Sequence, residues 1–166
     1  MIYLIQGDIG VGKSTLLRSL TAHLGLKPAG FLTEKIVEDD GGFLIYLHPL
    51  DRPKRYTTDR IVGERRPGQK RQPRTEAFET AVQWIEAIPA GQAVQLDELG
   101  FLEEDALAFQ ESVRALLLRS SLALVAIKSA HTPFLDSIRA LPQTQLYTIT
   151  PENREELLQM LKESDL

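Results

Sequence analysis

Apolar and polar residues follow one another along the chain in a pattern that predicts strands and helices in turn. Residues 2–5 form an apolar run of the kind found in buried strands. A helix is predicted over 13–24, because leucines recur on one helical face and Gly25 stands where such a helix would end. Two further strands, at 30–37 and 43–47, are separated by five acidic and glycine residues, which is a hairpin signal.

The same alternation continues through the second half of the chain. Strands are predicted at 93–96, 122–128 and 145–149, and helices at 75–85, capped by Thr75, at 104–118, from Thr132-Pro133, and from Thr150-Pro151. No internal repeat and no second domain are apparent, so residues 1–166 are expected to form one α/β domain. Such a domain has a mainly parallel sheet flanked by helices and binds its ligands at the carboxyl ends of the strands.

Composition narrows the classes of function. The 166 residues are 43% hydrophobic and 25% charged, ordinary values for a globular domain. There are no cysteines, which excludes disulfides, thiolate metal sites and a cysteine nucleophile, and the three histidines lie too far apart to favour a zinc cluster. The longest apolar stretch is far shorter than a membrane span, and the first strand starts without a basic leader. A cytoplasmic protein is the expectation.

Charge is concentrated in one segment. Residues 51–74 hold nine basic and three acidic residues, a net charge of +6, whereas the rest of the chain carries −10. The segment also contains five prolines and glycines and no sustained periodicity, so we expect a long basic loop. A basic loop on an acidic body suits an anionic ligand, but a solvated insertion without a ligand fits equally well.

The first motif with a defined chemistry follows the first strand. Residues 7–14 fit the pattern Gly-x4-Gly-Lys-Ser/Thr of a phosphate-binding loop, and they stand between a predicted strand and a predicted helix, as that loop requires. Glycines let the backbone wrap phosphates, and successive N–H groups at the helix start point at the anion. Lys13 is assigned to the β- and γ-phosphates, Ser14 to Mg²⁺ and Thr15 to the α-phosphate. The candidate nucleotide-binding residues are Gly7, Asp8, Ile9, Gly10, Val11, Gly12, Lys13, Ser14 and Thr15.

The second motif is a pair of acids after the strand at 93–96. Asp97 is suited to hold Mg²⁺ through its water shell, since Mg²⁺ takes few protein carboxylates. Glu98 is suited to orient or deprotonate a water molecule, which favours hydrolysis over transfer to another acceptor. Together with the phosphate-binding loop, the pair is interpreted as a Walker B element.

Phosphoryl transfer also needs a cation to meet the charge that develops on the transferred group. Lys35, Lys128 and the arginines of 52–74 are candidates, and the sequence does not choose among them. Thr33 and Glu34 are further candidates, although polar residues on a strand also serve cross-strand pairing.

Several motifs in a fixed order resemble the thermophile-type, or cancer-related, nucleoside-triphosphatase family. The resemblance spans nearly the whole chain. It rests on the phosphate-binding loop, on Gly30-Phe31-Leu32-Thr33-Glu34 with Gly42-Phe43, on Asp97-Glu98-Leu99-Gly100-Phe101-Leu102-Glu103 with Phe109, and on Thr150-Pro151-Glu152-Asn153-Arg154.

The resemblance implies a three-layer, RecA-like P-loop fold, related to nucleotide kinases, with a β-hairpin insertion. It implies Mg²⁺-dependent hydrolysis of ATP, GTP and other nucleoside triphosphates, and it gives Glu103 the task of tying the segment after Asp97-Glu98 to the site. One departure is that Val37 stands where the family often has arginine. Either the basic loop supplies that cation, or hydrolysis is poor, or the loop binds a second substrate.

Two other functions stay open beside hydrolysis. A nucleotide or small-molecule kinase would use 51–74 as an arginine-rich lid, and it would need an acceptor before it turned over. A GTP-binding accessory protein of the molybdopterin-guanine-dinucleotide type would bind nucleotide tightly and present the loop to a protein partner. Nucleic acid at this loop has little support, because only Tyr56 interleaves its basic residues. The sequence indicates no membrane partner, no base preference and no oligomeric state.

Overall fold

The computed structural model describes residues 1–164, and the strands of that part of the chain form one eight-stranded sheet. The strands are β1 Ile2–Gln6, β2 Ala29–Val37, β3 Phe43–Pro49, β4 Ile61–Arg65, β5 Gln72–Pro73, β6 Val94–Leu99, β7 Ala123–Ile127 and β8 Thr144–Thr148. The helices are α1 Lys13–His23, α2 Thr75–Glu86, α3 Leu107–Arg119, α4 Pro133–Arg139 and α5 Arg154–Glu163, with a short 3₁₀ helix at Thr58–Arg60.

The strand order is β5-β4-β3-β2-β6-β7-β1-β8. Strands β2, β6, β7, β1 and β8 are parallel to one another. Strands β3, β4 and β5 extend the sheet beyond β2, each antiparallel to the strand before it. The predicted mainly parallel sheet with a β-hairpin insertion is therefore confirmed. The carboxyl ends of β1, β6 and β7 lie side by side, as the rule for parallel sheets requires of a ligand site.

Helices cover both faces of the sheet and give three layers. Leucines of α1 and α5 pack with Tyr3, Ile5 and Leu124 on one face. Apolar residues of α2, α3 and α4 pack with Leu4, Val125 and other strand residues on the opposite face. Strands β1 and β7 are buried on both faces because helices lie above and below them, which explains their nearly continuous apolar sequence.

Helix α3 begins at Leu107, three residues later than the sequence predicts. The structure corrects four other local predictions. Segment 51–74 is not a loop throughout, because it contains the 3₁₀ helix, β4 and β5; β4 has only two large apolar residues and β5 only two residues in all, too few for a periodic signal. Strand β6 does not end before the acids but runs through Asp97 and Glu98. Helix α2 includes Thr75 rather than being capped by it.

The fourth correction concerns the last helix, which begins at Arg154 and not at Thr150-Pro151. The side chain of Asn153 accepts a hydrogen bond from the N–H of Thr150 and donates one to the carbonyl of Thr148. These bonds close a turn over 150–153 and delay the helix by one turn. Among residues 1–164, no helix is both long and apolar enough to cross a membrane.

Candidate functional site

The phosphate-binding loop connects β1 to α1 at the centre of the sheet. Gly10 and Gly12 have φ angles of 82° and 109°, a region that side chains with a Cβ rarely enter. Gly7 is needed for a different reason, since a Cβ at this position would lie 2.6 Å from the carbonyl oxygen of Ile149. The loop thus depends on glycine both for its own turn and for its close approach to the segment that follows β8.

Lys13 is the first residue of α1, and its side chain is almost completely buried. Its ammonium group donates to the carbonyl oxygens of Gly7 (2.6 Å) and Asp8 (2.9 Å) and lies 3.0 Å from a carboxylate oxygen of Glu98. The loop carbonyls therefore fix the position of the charge. A cation held at the end of β1, beside a carboxylate from β6, is available to oxygens of a bound polyphosphate.

Ser14 and Asp97 come together from different elements, as the two motifs predict. The Ser14 hydroxyl donates to Oδ1 of Asp97 at 2.9 Å. Burial raises the pKa of Asp97, and the bond from Ser14 partly offsets this effect. A hydroxyl and one carboxylate are oxygen ligands of the type that Mg²⁺ uses together with substrate phosphates and water, so this pair fits the metal that the sequence implies. Within residues 1–164, no group of three His, Cys, Asp or Glu side chains could hold a metal by itself.

Glu98 lies between two lysines. One carboxylate oxygen contacts Lys13, and the other lies 2.9 Å from the ammonium group of Lys128, which follows β7. The Lys128 side chain reaches Glu98 by passing over Gly100, where a Cβ would come within 2.8 Å of its Cε atom. The register of β6 against β7 shifts between Asp97 and Leu99.

A cavity of about 400 Å³ joins these groups. Its lining comprises part of the phosphate-binding loop, both acids of β6, and three of the further candidates, namely Thr33, Lys35 and Lys128. Thr33 also donates to the backbone carbonyl of Asp97 at 3.3 Å. Arg71, from the basic segment, completes the wall.

A smaller pocket of about 70 Å³ adjoins the cavity and shares Glu98, Lys128 and Arg71 with it. The remaining wall is mostly apolar and includes Phe78, Phe109 and the buried Glu103, so it shields one side of Glu98 from bulk water.

Glu103 is buried beneath this pocket, and one of its carboxylate oxygens accepts the N–H of Gly100 at 2.6 Å. Burial raises its pKa to about 7, an effect that the bond from Gly100 reduces and the negative Glu98 reinforces. This bond closes the segment after β6 beside Lys128.

Other candidates lie elsewhere. Glu34 does not line the cavity, because neighbouring residues of a strand face opposite sides of the sheet and Thr33 and Lys35 take the cavity side. Its carboxylate accepts from Tyr56 at 2.9 Å and pairs with Lys54 at 3.1 Å. Both ends of the Asn153 amide bond to the backbone just before it, at Thr148 and Thr150, so this residue stabilises the start of α5.

Arg71 is the site residue that sequence reasoning did not single out. Its signal was the dense positive charge of 51–74, but nine basic residues share that signal. Arg71 is the one arginine of this segment that lines the cavity. Its position depends on the pairing of β4 with β5, which follows directly after Arg71 in the chain.

Comparisons with known proteins point to one family. A family model described as NTPase matches residues 2–161. The Nucleoside-triphosphatase THEP1 of Aquifex aeolicus (strain VF5) is 28% identical, with 96% of each chain covered. The protein of the same name from Thermotoga sp. (strain RQ2) is also 28% identical, over 95% of this chain and 91% of its own.

Two solved structures share the fold. The crystal structure of THEP1 from the hyperthermophile Aquifex aeolicus has a TM-score of 0.65 at 23% identity and covers 99% of this chain and 100% of its own. The solution structure of a human cancer-related nucleoside triphosphatase has a TM-score of 0.67 at 23% identity, with 96% and 94% covered. At these identities the likeness establishes the three-layer fold.

Proposed function

The chain belongs to the NTPase family, and from this premise we propose that it hydrolyses nucleoside triphosphates, ATP and GTP among them, to diphosphate and phosphate. The names of its relatives specify nucleoside triphosphates and no particular base, which supports a broad substrate range. The observation on which the proposal rests is the position of Glu98, a carboxylate in the wall of the same cavity as the phosphate-binding loop. We place the reaction in the cytoplasm, where nucleoside triphosphates are made and used.

Each residue of the site has a distinct role in the proposed reaction. The loop N–H groups and Lys13 bind the β- and γ-phosphates. Ser14 and Asp97 hold Mg²⁺, which when bound neutralises charge on the phosphate oxygens. Glu98 orients a water molecule and accepts its proton as the water oxygen bonds to the γ-phosphorus and the bond to the leaving diphosphate breaks. Lys128 positions Glu98 through their ion pair at 2.9 Å.

The test is phosphate release from ATP, GTP, CTP and UTP with Mg²⁺ and no acceptor. We expect turnover with all four nucleotides. Lys13→Ala and Glu98→Gln should each lower kcat by roughly 100-fold or more, because each removes a group that acts on the reacting atoms. Glu34→Gln is the matched control, because it makes the same chemical change on the face of β2 that points away from the cavity. It should retain kcat within about twofold.

Either of two results would contradict the proposal. One is wild-type protein that binds nucleotide through Lys13 but releases no phosphate until an acceptor hydroxyl is supplied, which is kinase behaviour. The other is unchanged turnover in Glu98→Gln, which would remove the assigned base.

A further inference from the structure

Three cations of the β2–β5 region converge on one aromatic ring. The ammonium group of Lys35 lies 4.2 Å from the ring centroid of Phe43, and the guanidinium carbons of Arg65 and Arg71 lie 4.8 Å and 5.5 Å from it. The strand register explains this meeting, because Phe43 is paired with Val37 of β2 on one side and with Arg65 of β4 on the other. We call Lys35, Arg65 and Arg71 the cation cluster.

The positive charge of this cluster is not balanced locally. Within residues 1–164, no carboxylate lies within 4.0 Å of the three cationic groups, whereas Lys54, Arg60 and Arg74 of the same segment each pair with an acid. The acids that directly precede Lys35 and Arg65 in the chain are already engaged: Glu34 binds Lys54, and Glu64 binds Arg74. Three like charges gathered around one ring repel each other, so an anion bound among them would be stabilised.

The cluster faces the site already described. Lys35 and Arg71 line the same cavity as Lys13, Ser14 and Glu98, and they stand on the side formed by the antiparallel strands. Lys13 and Lys128 each form an ion pair with Glu98, so part of their charge is used within the protein. Within residues 1–164, Lys35 and Arg71 lie beside the Phe43 ring and form no ion pair, so their charge is available to a ligand.

We propose that the cation cluster is a second anion site, which binds the terminal phosphoryl group of the nucleoside triphosphate from the side opposite the phosphate-binding loop. This inference rests on the proposed function. Arg71 and Lys35 contact the γ-phosphoryl oxygens, and the planar guanidinium of Arg71 can donate two parallel hydrogen bonds to them. The guanidinium of Arg65 donates to the carbonyl of Gly41. Arg65 therefore acts on the phosphoryl group indirectly, through the Phe43 ring and through its positive charge.

The site would supply the charge that phosphoryl transfer requires. As the bond to the leaving diphosphate breaks, negative charge is spread over the oxygens of the transferred group, and a fixed cation at those oxygens lowers the barrier. A diphosphate lacks this group. The cluster should therefore distinguish triphosphate from diphosphate, which gives a readout independent of turnover.

The experiment compares Arg71→Gln and Lys35→Gln with Arg66→Gln. Arg66 lies, like Arg71, between β4 and β5, and its substitution removes the same charge. It lines neither the cavity nor the adjoining pocket. Calorimetric titration measures the affinity of each variant for Mg·ADP and for a non-hydrolysable Mg·ATP analogue, and phosphate release measures kcat.

We expect Arg71→Gln and Lys35→Gln to bind ADP within about twofold of wild type and the ATP analogue about tenfold more weakly. Arg71→Gln should also lower kcat by roughly 100-fold or more, since arginines that meet transferred phosphoryl groups contribute 10³–10⁵ in other systems. Arg66→Gln should match wild type throughout. Intact binding of ADP also shows that a variant is folded.

Three results would overturn the inference. Equal losses for ADP and the ATP analogue would place the cluster away from the γ-phosphate. An effect of Arg66→Gln as large as that of Arg71→Gln would indicate a diffuse field. Unchanged nucleotide binding with weakened binding of a single-stranded oligonucleotide in all three variants would assign the surface to nucleic acid. If the wild type releases no phosphate, the proposed function fails, but the two affinities still decide whether this site exists.

Discussion

At the scale of single residues, Gly100 is important because of what a side chain there would touch. Its missing Cβ leaves room for the Lys128 stem, which would otherwise approach to 2.8 Å. We predict that Gly100→Ala displaces this flexible side chain from Glu98 and lowers kcat by about tenfold, while the melting temperature falls little because the backbone is not strained.

A double-mutant cycle with Lys128→Ala checks this mechanism. If Gly100 acts through Lys128, the double variant should be no slower than Lys128→Ala alone. Independent losses that multiply in the double variant would mean that Gly100 acts through another contact.

Glu103 gives a second residue-scale prediction, which concerns pH. Its pKa is raised from 4.5 to about 7, so it holds its proton more tightly in the folded protein than in the unfolded chain. Its contribution to stability is full below pH 4.5 and is lost as the pH rises through about 7. We therefore predict that Glu103→Gln gains stability relative to wild type, by about 2 kcal/mol, between pH 5.5 and pH 8.5.

Urea unfolding at the two pH values measures this difference. The exposed neighbour Glu104 provides the control, and Glu104→Gln should follow wild type at both values. Asp97 also has a raised pKa, but it is present in every variant and cancels from the comparison. A wild-type curve parallel to that of Glu103→Gln would show that Glu103 is not buried as a neutral acid.

At the scale of elements, the face of the β2–β3 hairpin that points away from the cavity contains a buried histidine. His48 of β3 is completely buried between Tyr46 and Tyr56, with ring centroids 5.9 Å and 5.2 Å away. Neither of its ring nitrogens has a hydrogen-bond partner among residues 1–164, although Nε2 lies 3.4 Å from a carboxylate oxygen of Glu34. Burial lowers the pKa of His48 despite the opposing effect of Glu34.

A histidine with a lowered pKa stabilises the fold above its ordinary value of 6.5, and this contribution is lost as the pH falls towards the lowered pKa. We predict that His48→Phe is at least as stable as wild type at pH 8 and loses less stability between pH 7 and pH 5. Thermal unfolding across this range measures the effect. The exposed His23, which forms no ion pair within residues 1–164, is the control, and His23→Phe should keep the acid sensitivity of the wild type.

Elements with a strong local signal were predictable from the sequence. The helix that begins at Lys13 was predicted because an unbroken leucine face follows a glycine motif, and the strand β7 because five buried residues are apolar. Strands β4 and β5 were missed because their pairing depends on β3 and on each other, which no local pattern encodes. The meeting of Ser14 with Asp97 followed from motif chemistry, whereas the place of Arg71 depended on the turn of a hairpin that was not foreseen.

The whole molecule gives a prediction about cooperativity and ligand binding. The eight strands of residues 1–164 share one sheet, and the nucleotide site draws on β1, β6, β7 and the antiparallel extension, so unfolding any part would destroy the site. We expect a single thermal transition whose calorimetric and van't Hoff enthalpies agree, as for other small single domains. This would support the one domain expected over residues 1–166.

A ligand that binds only the folded state should move that single transition upward. At 100 times its dissociation constant, the Mg·ATP analogue adds about 2.7 kcal/mol, which corresponds to roughly 5–10 °C in a chain of this size. At the same ligand concentration, Lys13→Ala should lose most of the shift, while Arg66→Gln should keep it, because only Lys13 lies at the loop that binds phosphate. A second transition unaffected by the nucleotide would show that part of the sheet unfolds independently of the site. If that transition came from the β4–β5 hairpin, the basic segment would be a separate cooperative unit.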